Sequence, residues 1–371
     1  MAIRPPDKIT PLTPPMKSEH LSELGRDQMT KNHSLASSVE VFIQNKTSAT
    51  ESVLDAITAV RKDRDLTDEE RNDLLAKLVL AIGAKDVRQE IVQLIPELSI
   101  GASFRASLVL QSLWQSKLEA EGLSIGRRDN PKHRDRTFAT SLGLPIPKVL
   151  QDRVTFESLQ MQPGTIVKPE EGSTSIGVYL VEADESLRSV SSGRQYPSLE
   201  KALYSETGTP ERLLDGRWIS EKAIMHDEGD LAHDFKIFTF YGRPALIQEI
   251  RRNVFTPTPP EHCFYNPEGE IIDTGSPNPS FRGAGFNANL LLMAKDVSIN
   301  TPLPFVRVDF LDNYETAALG EITPLPGGVY LGRFSPQLDF SLGLEYVEAQ
   351  ARLFKDMFEG KQFTKYTRSY H

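Results

Sequence analysis

Three stretches of this 371-residue chain carry residue types whose spacing could do chemistry. Thr165-Ile-Val-Lys168 reads as a strand ending in a lysine, followed by a small-residue run holding Gly172, Ser173, Thr174, Ser175 and Gly177, then a second apolar run to Val181. Small residues let a backbone close around phosphate oxygens, and their N–H and hydroxyl groups donate to those oxygens. A P-loop would lead from its glycines through Gly-Lys-Ser/Thr into a helix. That pattern is absent, so the stretch reads as a glycine-rich flap between two antiparallel strands, with Lys168 at its base. An ordinary hairpin with a Gly/Ser turn is the alternative. The second stretch is Val306-Arg307-Val308-Asp309-Phe310, followed after a gap by Gly320-Glu321-Ile322-Thr323-Pro324. Two apolar runs each offer a carboxylate at similar depth, the pattern of a hairpin that sets Asp309 beside Glu321. Paired carboxylates repel unless a cation or proton intervenes, and an all-oxygen set suits Mg²⁺ or Mn²⁺ shared with substrate phosphates. Arg307 lies two residues before Asp309, hence on the same strand face, where it can meet a phosphoryl group. The alternative is two solvated acids at strand ends. The third stretch runs from Trp218 through Glu221-Lys222 to Ile224, then a polar loop, then Asp234-Phe-Lys-Ile-Phe-Thr-Phe240. A strand ending in Glu-Lys offers backbone groups to an adenine edge, and a later acid offers a carboxylate to ribose hydroxyls.

Other motifs compete. His133-Arg134-Asp135 spells the start of a protein-kinase catalytic loop, but Thr140 stands where that loop needs Asn, and no Asp-Phe-Gly exists. His226, Asp227, Glu228, Asp230 and His233 read as a solvated loop rather than a metal cluster. Cys263 reads as a loop residue with no partner for nucleophilic work. Gln248, Glu249, Arg251 and Arg252, or Arg282, are candidates for contact with a substrate anion.

These residues need elements to hold them. Residues 1–35 hold Pro5, Pro6, Pro11, Pro14 and Pro15 among polar residues and read as a flexible arm. Residues 36–130 read as a mostly helical domain. Thr67-Asp-Glu-Glu70 has capping-box form, and Phe104, Leu108, Trp114 and Leu118 recur at nearly helical spacing; Val39–Ile43 suits either a strand or a helix. Beyond that the texture is mixed α+β. Strands are expected at 165–167, 177–181, 236–240, 245–250, 305–310 and 318–322, helices at 135–142, 198–204 and 341–363, and long loops over 255–304. Lys+Arg 42 against Asp+Glu 51 gives a net charge of −9, which argues against a nucleic-acid or anionic-membrane coat. A single cysteine rules out an internal disulfide framework. The opening MAIRPPDKITPLTPP has no apolar core of a signal peptide, and no apolar run is long enough to span a bilayer, so the expected location is the cytoplasm.

From about residue 130 onward the order of these motifs resembles the ATP-grasp superfamily. Asn130-Pro-Lys132 followed by Gly143-Leu-Pro is similar to the opening of its small lobe, and Ile219–Ile224 resembles the hinge of D-alanine–D-alanine ligases. Asp234-Phe-Lys236 with Phe240-Tyr-Gly-Arg-Pro, Gly320–Gly328, and Pro336-Gln-Leu-Asp339 with Leu342-Gly343 look closest to the TupA-like (teichuronopeptide-biosynthesis) branch. The resemblance implies an α+β ATP-grasp fold after the helical N-terminal region, with a small lobe at 131–220 and a large lobe carrying a metal site at 221–371. It implies that Lys132 and Lys168 hold α/β-phosphates and that Ser173, Thr174 and Ser175 close over the β/γ-phosphates. Glu221 would read the adenine amino group, Lys222 and Ile224 would add backbone contacts, and Asp234 would take the ribose. Asp309, Glu321 and Thr323 would bind Mg²⁺ (or Mn²⁺), and Arg307 would steady the transferring phosphoryl group. Thr323 stands where the superfamily commonly has Asn; the TupA-like pattern also has Thr there. The implied activity is an ATP- and Mg²⁺-dependent carboxylate–amine ligase working through an acyl phosphate, on small-molecule or peptide substrates, in a chain that could form a homodimer. A kinase acting on a small-molecule hydroxyl, or a non-catalytic nucleotide-binding module, is the alternative.

Overall fold

The computed structural model describes residues 35–82, 102–120, 132–170, 175–207, 210–226, 229–252, 255, 260–275, 281–326 and 334–370. The chain divides into two compact units, Met1–Gly101 and Ala102–His371. In the first, helices α1 (Leu35–Lys62) and α2 (Asp68–Ile82) bury Ile57, Leu75 and Val79. Val39–Ile43 is therefore helical. The capping box forms as its residue types dictate: Glu70 Oε2 accepts from Thr67 N at 2.9 Å, and Thr67 Oγ1 accepts from Glu70 N at 3.3 Å.

The second unit is built on two antiparallel sheets. One orders its strands β1 (Val149–Thr155), β6 (Arg217–Lys222), β2 (Thr165–Pro169), β3 (Tyr179–Val181), β4 (Leu187–Ser189) and β5 (Gln195–Tyr196), with helices α5 (Leu199–Thr207) and α6 (Glu211–Leu214) between β5 and β6 in the chain. The other orders β11 (Ala317–Thr323), β10 (Val306–Asp312), β7 (His233–Phe240), β8 (Arg243–Arg251) and β9 (Glu261–Tyr265). Strand alternation sorts the second sheet's faces. Phe235, Ile237, Val306, Val308 and Phe310 pack with Leu290, Ala294 and Val297 of α7 (Ala288–Ile299). The opposite face offers Phe238, Phe240, Leu246 and Phe264 to α3 (Phe104–Ala120) and α8 (Pro336–Phe358). α3 and α8 are joined at their first turns, where Asp339 accepts from Ser103 Oγ at 2.6 Å and Arg105 N at 3.0 Å. A side chain on Gly343 would come within 2.6 Å of Ser103 N, so only glycine allows this approach. The mixed α+β architecture with a helical N-terminal part is thus present.

Two sequence expectations are corrected. The stretch 255–304 holds β9 and α7 rather than loops alone, because Ala288–Ile299 is apolar on most sides and is buried as a helix capped by Asn287. The last expected helix, 341–363, is α8, which begins earlier and ends at Phe358, with Gly360 at φ +88 just past its end; a further helix not expected from the sequence, α9 (Thr364–Tyr370), follows. Among the described residues no helix is long and apolar enough to cross a membrane.

Candidate active site

The β10–β11 hairpin pairs Asp309 with Glu321 and Arg307 with Thr323 as direct cross-strand partners. The four side chains therefore share one sheet face. A bulge follows at once: Phe310 pairs with Leu319, leaving Gly320 over. Such bulges re-aim a side chain beside a site. On the other flank Asp309 is paired with Lys236 of β7. Asp309 is buried and saturated by cations. Arg307 Nε and Nη2 reach its Oδ1 and Oδ2 at 2.6 and 2.7 Å, and Lys236 Nζ reaches Oδ2 at 2.5 Å. Burial alone would raise this carboxyl's pKa, but the Arg307 and Lys236 charges prevail and hold it below the ordinary value. Arg307 Nη2 also reaches Thr323 Oγ1 at 3.1 Å. Glu321 is exposed.

The six-stranded sheet contributes the opposite half. Lys168 on β2 is paired with Ile219, two residues before Glu221 on β6. The two charges meet diagonally, with Lys168 Nζ 2.5 Å from Glu221 Oε2. Arg136 of α4 (Lys132–Ser141) approaches Glu221 Oε1 at 3.4 Å and also binds Asp152 on β1. α4 joins the two sheets. Its Lys132 Nζ donates to Pro169 O at the end of β2 (2.8 Å), and its buried Asp135 accepts from Ile322 N in β11 (3.1 Å). Lys132 has its pKa pushed down to about 8, first by burial and then by the Lys168 charge, while Glu321 and Glu221 pull the other way. One lysine thus feels the charged groups of both sheets.

The nucleotide-side residues are placed as follows. Ser173 and Thr174 lie outside the described residues. Ser175 sits in the left-handed region (φ 61), as does Gly177 (φ 77), beside the Pro169 ring. Lys222 N is spent on Lys148 O (2.8 Å), and Ile224 O accepts from Ala232 N (2.9 Å). Asp234 shares the Asp309 face of the sheet, two residues from Lys236, and pairs with Arg252 Nε at 2.7 Å.

A match to the family described as TupA-like ATPgrasp covers residues 133–347. The chain belongs to the TupA-like ATP-grasp family. The chain is also similar to solved structures. D-alanine–D-alanine ligase from Bacillus anthracis is 16% identical, with 65% of this chain and 73% of that chain covered and a TM-score of 0.37. The D-cycloserine synthetase DcsG is 14% identical, with 60% and 70% covered and a TM-score of 0.34. The macrocyclase MdnC from Microcystis aeruginosa MRC, bound with precursor peptide MdnA, is 13% identical, with 60% and 62% covered and a TM-score of 0.33. No curated protein matches the chain.

Sequence reasoning missed Lys236 and Arg136 as members of this constellation. Both left a signal: Lys236 follows Asp234 by two in a strand, and Arg136 follows Lys132 by four in a helix, so each shares its predecessor's face. Three readings need correction. Cys263 is buried inside β9 rather than in a loop. Gln248 and Glu249 are buried within β8, on opposite sheet faces, rather than following a strand. The His226 ring meets His233, which opens β7 on the sheet face opposite Asp309, edge to face at 4.8 Å, so these two are packed rather than solvated; Asp227 and Glu228 of the same expected loop lie outside the described residues. Among the described residues no group of three or more His, Cys, Asp or Glu is arranged to hold a metal.

Proposed function

We propose that this chain is an ATP-dependent carboxylate–amine ligase whose site lies between the two sheets, with the small lobe at 131–220 and the large lobe at 221–371. The observation that carries the reading is Lys132. It stands where the Lys168–Glu221 pair of one sheet and Glu321 of the other act on the same ammonium group. Lys132, Lys168 and Arg307 oppose triphosphate charge, the flap including Ser173, Thr174 and Ser175 closes over it, and Glu221, Lys222, Ile224 and Asp234 receive the nucleoside.

The donor set of Asp309, Glu321 and Thr323 fits Mg²⁺. It consists of two carboxylates and a hydroxyl oxygen, and Mg²⁺ is usually held by one or two carboxylates together with substrate phosphates. Asp309 already gathers two cations, so it is a carboxylate that must be charge-balanced at all times. When bound, the metal would supply Lewis-acid neutralisation of phosphate charge. The protein's part is positioning and electrostatics, because phosphoryl transfer asks little covalent work of side chains. The substrate carboxylate oxygen forms a bond to the γ-phosphorus and the bond to ADP breaks. The amine nitrogen then attacks the acyl carbon, phosphate leaves, and the amide forms. Arg307 stands beside Asp309, where it can transfer its hydrogen bonds from that carboxylate to the moving phosphoryl group.

Hydroxylamine trapping tests this. Incubation with MgATP and pools of candidate carboxylates should yield a hydroxamate with matching ADP release. A stable phosphoester in its place assigns the kinase reading, and nucleotide binding with no turnover on any pool assigns a binding module.

A further inference from the structure

The face of the five-stranded sheet opposite Asp309 holds a second polar cluster that the proposed chemistry does not use. Its centre is Glu249, which is wholly buried. It accepts from Tyr314 Oη at 2.7 Å and from Tyr265 Oη, and its Oε1 lies 2.7 Å from His233 Nδ1. The His226 ring packs on His233 at 4.8 Å and on Tyr314 at 5.6 Å. The residues come from separate elements. His233 opens β7, Glu249 and Tyr265 belong to β8 and β9, and Tyr314 lies in the turn between β10 and β11. His226 lies in segment 223–232, where the chain passes from the six-stranded sheet to the five-stranded one.

The turn is fastened to that segment twice. Tyr314 engages His226, His233 and Glu249, and Asn313 Nδ2 donates to Met225 O at 2.7 Å. Tyr314 also takes φ 68. A bulky residue in the left-handed region is costly and persists only where its surroundings over-determine it. The strain points the same way as the hydrogen bonds: the turn is built to hold Tyr314 on Glu249. The same hairpin carries Asp309 and Glu321, and the same crossing segment follows the Glu221-Lys222 end of β6.

We infer that the Glu249–Tyr314–Asn313 cluster is a lock that sets the crossing segment against the β10–β11 hairpin, and thereby the spacing between the nucleoside-side residues and the metal-side acids. The inference rests on the nucleotide reading above. Glu249, Tyr314 and Asn313 are positioning residues, remote from the reacting atoms.

Hydrogen–deuterium exchange on the full chain without nucleotide reads the lock itself. Mg·AMP-PNP titration reads its consequence. In Asn313→Ala, which removes the hydrogen bond to Met225 O, amides of 221–233 should exchange several-fold faster while β2 and α7 keep their rates, and Kd for Mg·AMP-PNP should rise about fivefold, the worth of about one net hydrogen bond. Tyr314→Phe, which removes the hydroxyl bonds to Glu249 and His233 but keeps the ring on His226, should do the same more weakly and serves if Asn313→Ala folds poorly. Unchanged exchange in 221–233, or acceleration spread evenly over both sheets, overturns the lock. Local acceleration with Kd unmoved overturns its coupling to the nucleotide. A wild-type chain that fails to bind Mg·AMP-PNP overturns the nucleotide reading instead, while the exchange result still decides whether the lock exists.

Discussion

Asp309 and Glu249 are buried carboxylates on opposite faces of one sheet, and both have pKa values held below the ordinary range by different means. Burial works against both. Asp309 overcomes it with the full charges of Arg307 and Lys236. Glu249 overcomes it with hydrogen bonds from His233, Tyr265 and Tyr314, aided by the His233 charge. Cations on long flexible stems can be exchanged for another cation, whereas aromatic hydroxyls held by a buried tyrosine (Tyr265) and by a turn residue pinned in the left-handed region (Tyr314) are fixed in place. The first arrangement suits a place where charge arrives and leaves, the second a place that must stay fixed. The sheet thus separates chemistry from positioning by its two faces.

The largest effect should come from Asp309→Asn. It strands Arg307 and Lys236 beside each other with their carboxylate gone, and breaking a buried pair by deleting one partner costs about 3–5 kcal/mol. Urea unfolding without nucleotide should register that loss, and MgATP should no longer raise stability. A cost under about 1 kcal/mol would mean the two cations find other partners and that the front face is less constrained than argued. Next comes Lys168→Ala, which should reduce turnover by about 2–4 kcal/mol of transition-state stabilisation, by analogy with removal of one oxyanion donor. Full ATP turnover in that variant would remove Lys168 from the site.

Lys132 gives a smaller effect that depends on pH. Its folded pKa of about 8 lies below its ordinary 10.5. Between those values the unfolded chain binds a proton that the folded chain does not, so stability rises with pH across that window. Below pH 8 the buried charge is tolerated at full cost, at most about 3 kcal/mol. Thermal unfolding at stepped pH should show this rise in the wild type and a flatter line in Lys132→Met. An equal slope in both would place the proton elsewhere. Nucleotide binding near pH 9 should return the proton to Lys132, seen as proton uptake by calorimetry in buffers of different ionisation enthalpy.

The front face was more legible in the sequence than the back. Strand alternation alone puts Arg307 with Asp309, and the similar depth of the two acids in their apolar runs anticipates the Asp309–Glu321 pairing that the register shows. Thr67 and Glu70 announce their helix start because a capping box is local. Nothing local announces that Asp339 will receive Ser103 and Arg105 from the far end of the chain. Glu249 was equally silent. An acid within an apolar strand shows a side chain that needs partners, but not that two tyrosines and a histidine from separate elements will supply them. α7 escaped for another reason: Ala-Asn-Leu-Leu-Leu-Met-Ala has too little contrast between faces to show a period, and its surroundings in Pro, Gly and Asn suggested loop.

The smallest predicted effect sharpens the comparison on the back face. Glu249 has its pKa lowered from 4.5, so it adds stability above that value, and this is lost as pH falls through the folded value. Asp312, at the same end of the cluster, has its pKa raised, chiefly by burial. It behaves oppositely, being at full stability below its ordinary value and losing it as pH rises through the folded one. Glu249→Gln keeps the shape and removes the charge. It should cost about 1–2 kcal/mol near neutrality, where one charge-assisted acceptor is lost, and the cost should vanish as the medium is made acid enough to protonate Glu249 itself. With the Glu249 contribution gone, the loss from Asp312 as pH rises through its folded value should be easier to see in the stability–pH curve. If the Glu249→Gln cost persists unchanged into acid, the carboxylate charge is not what holds the tyrosines, and the back face works by packing alone.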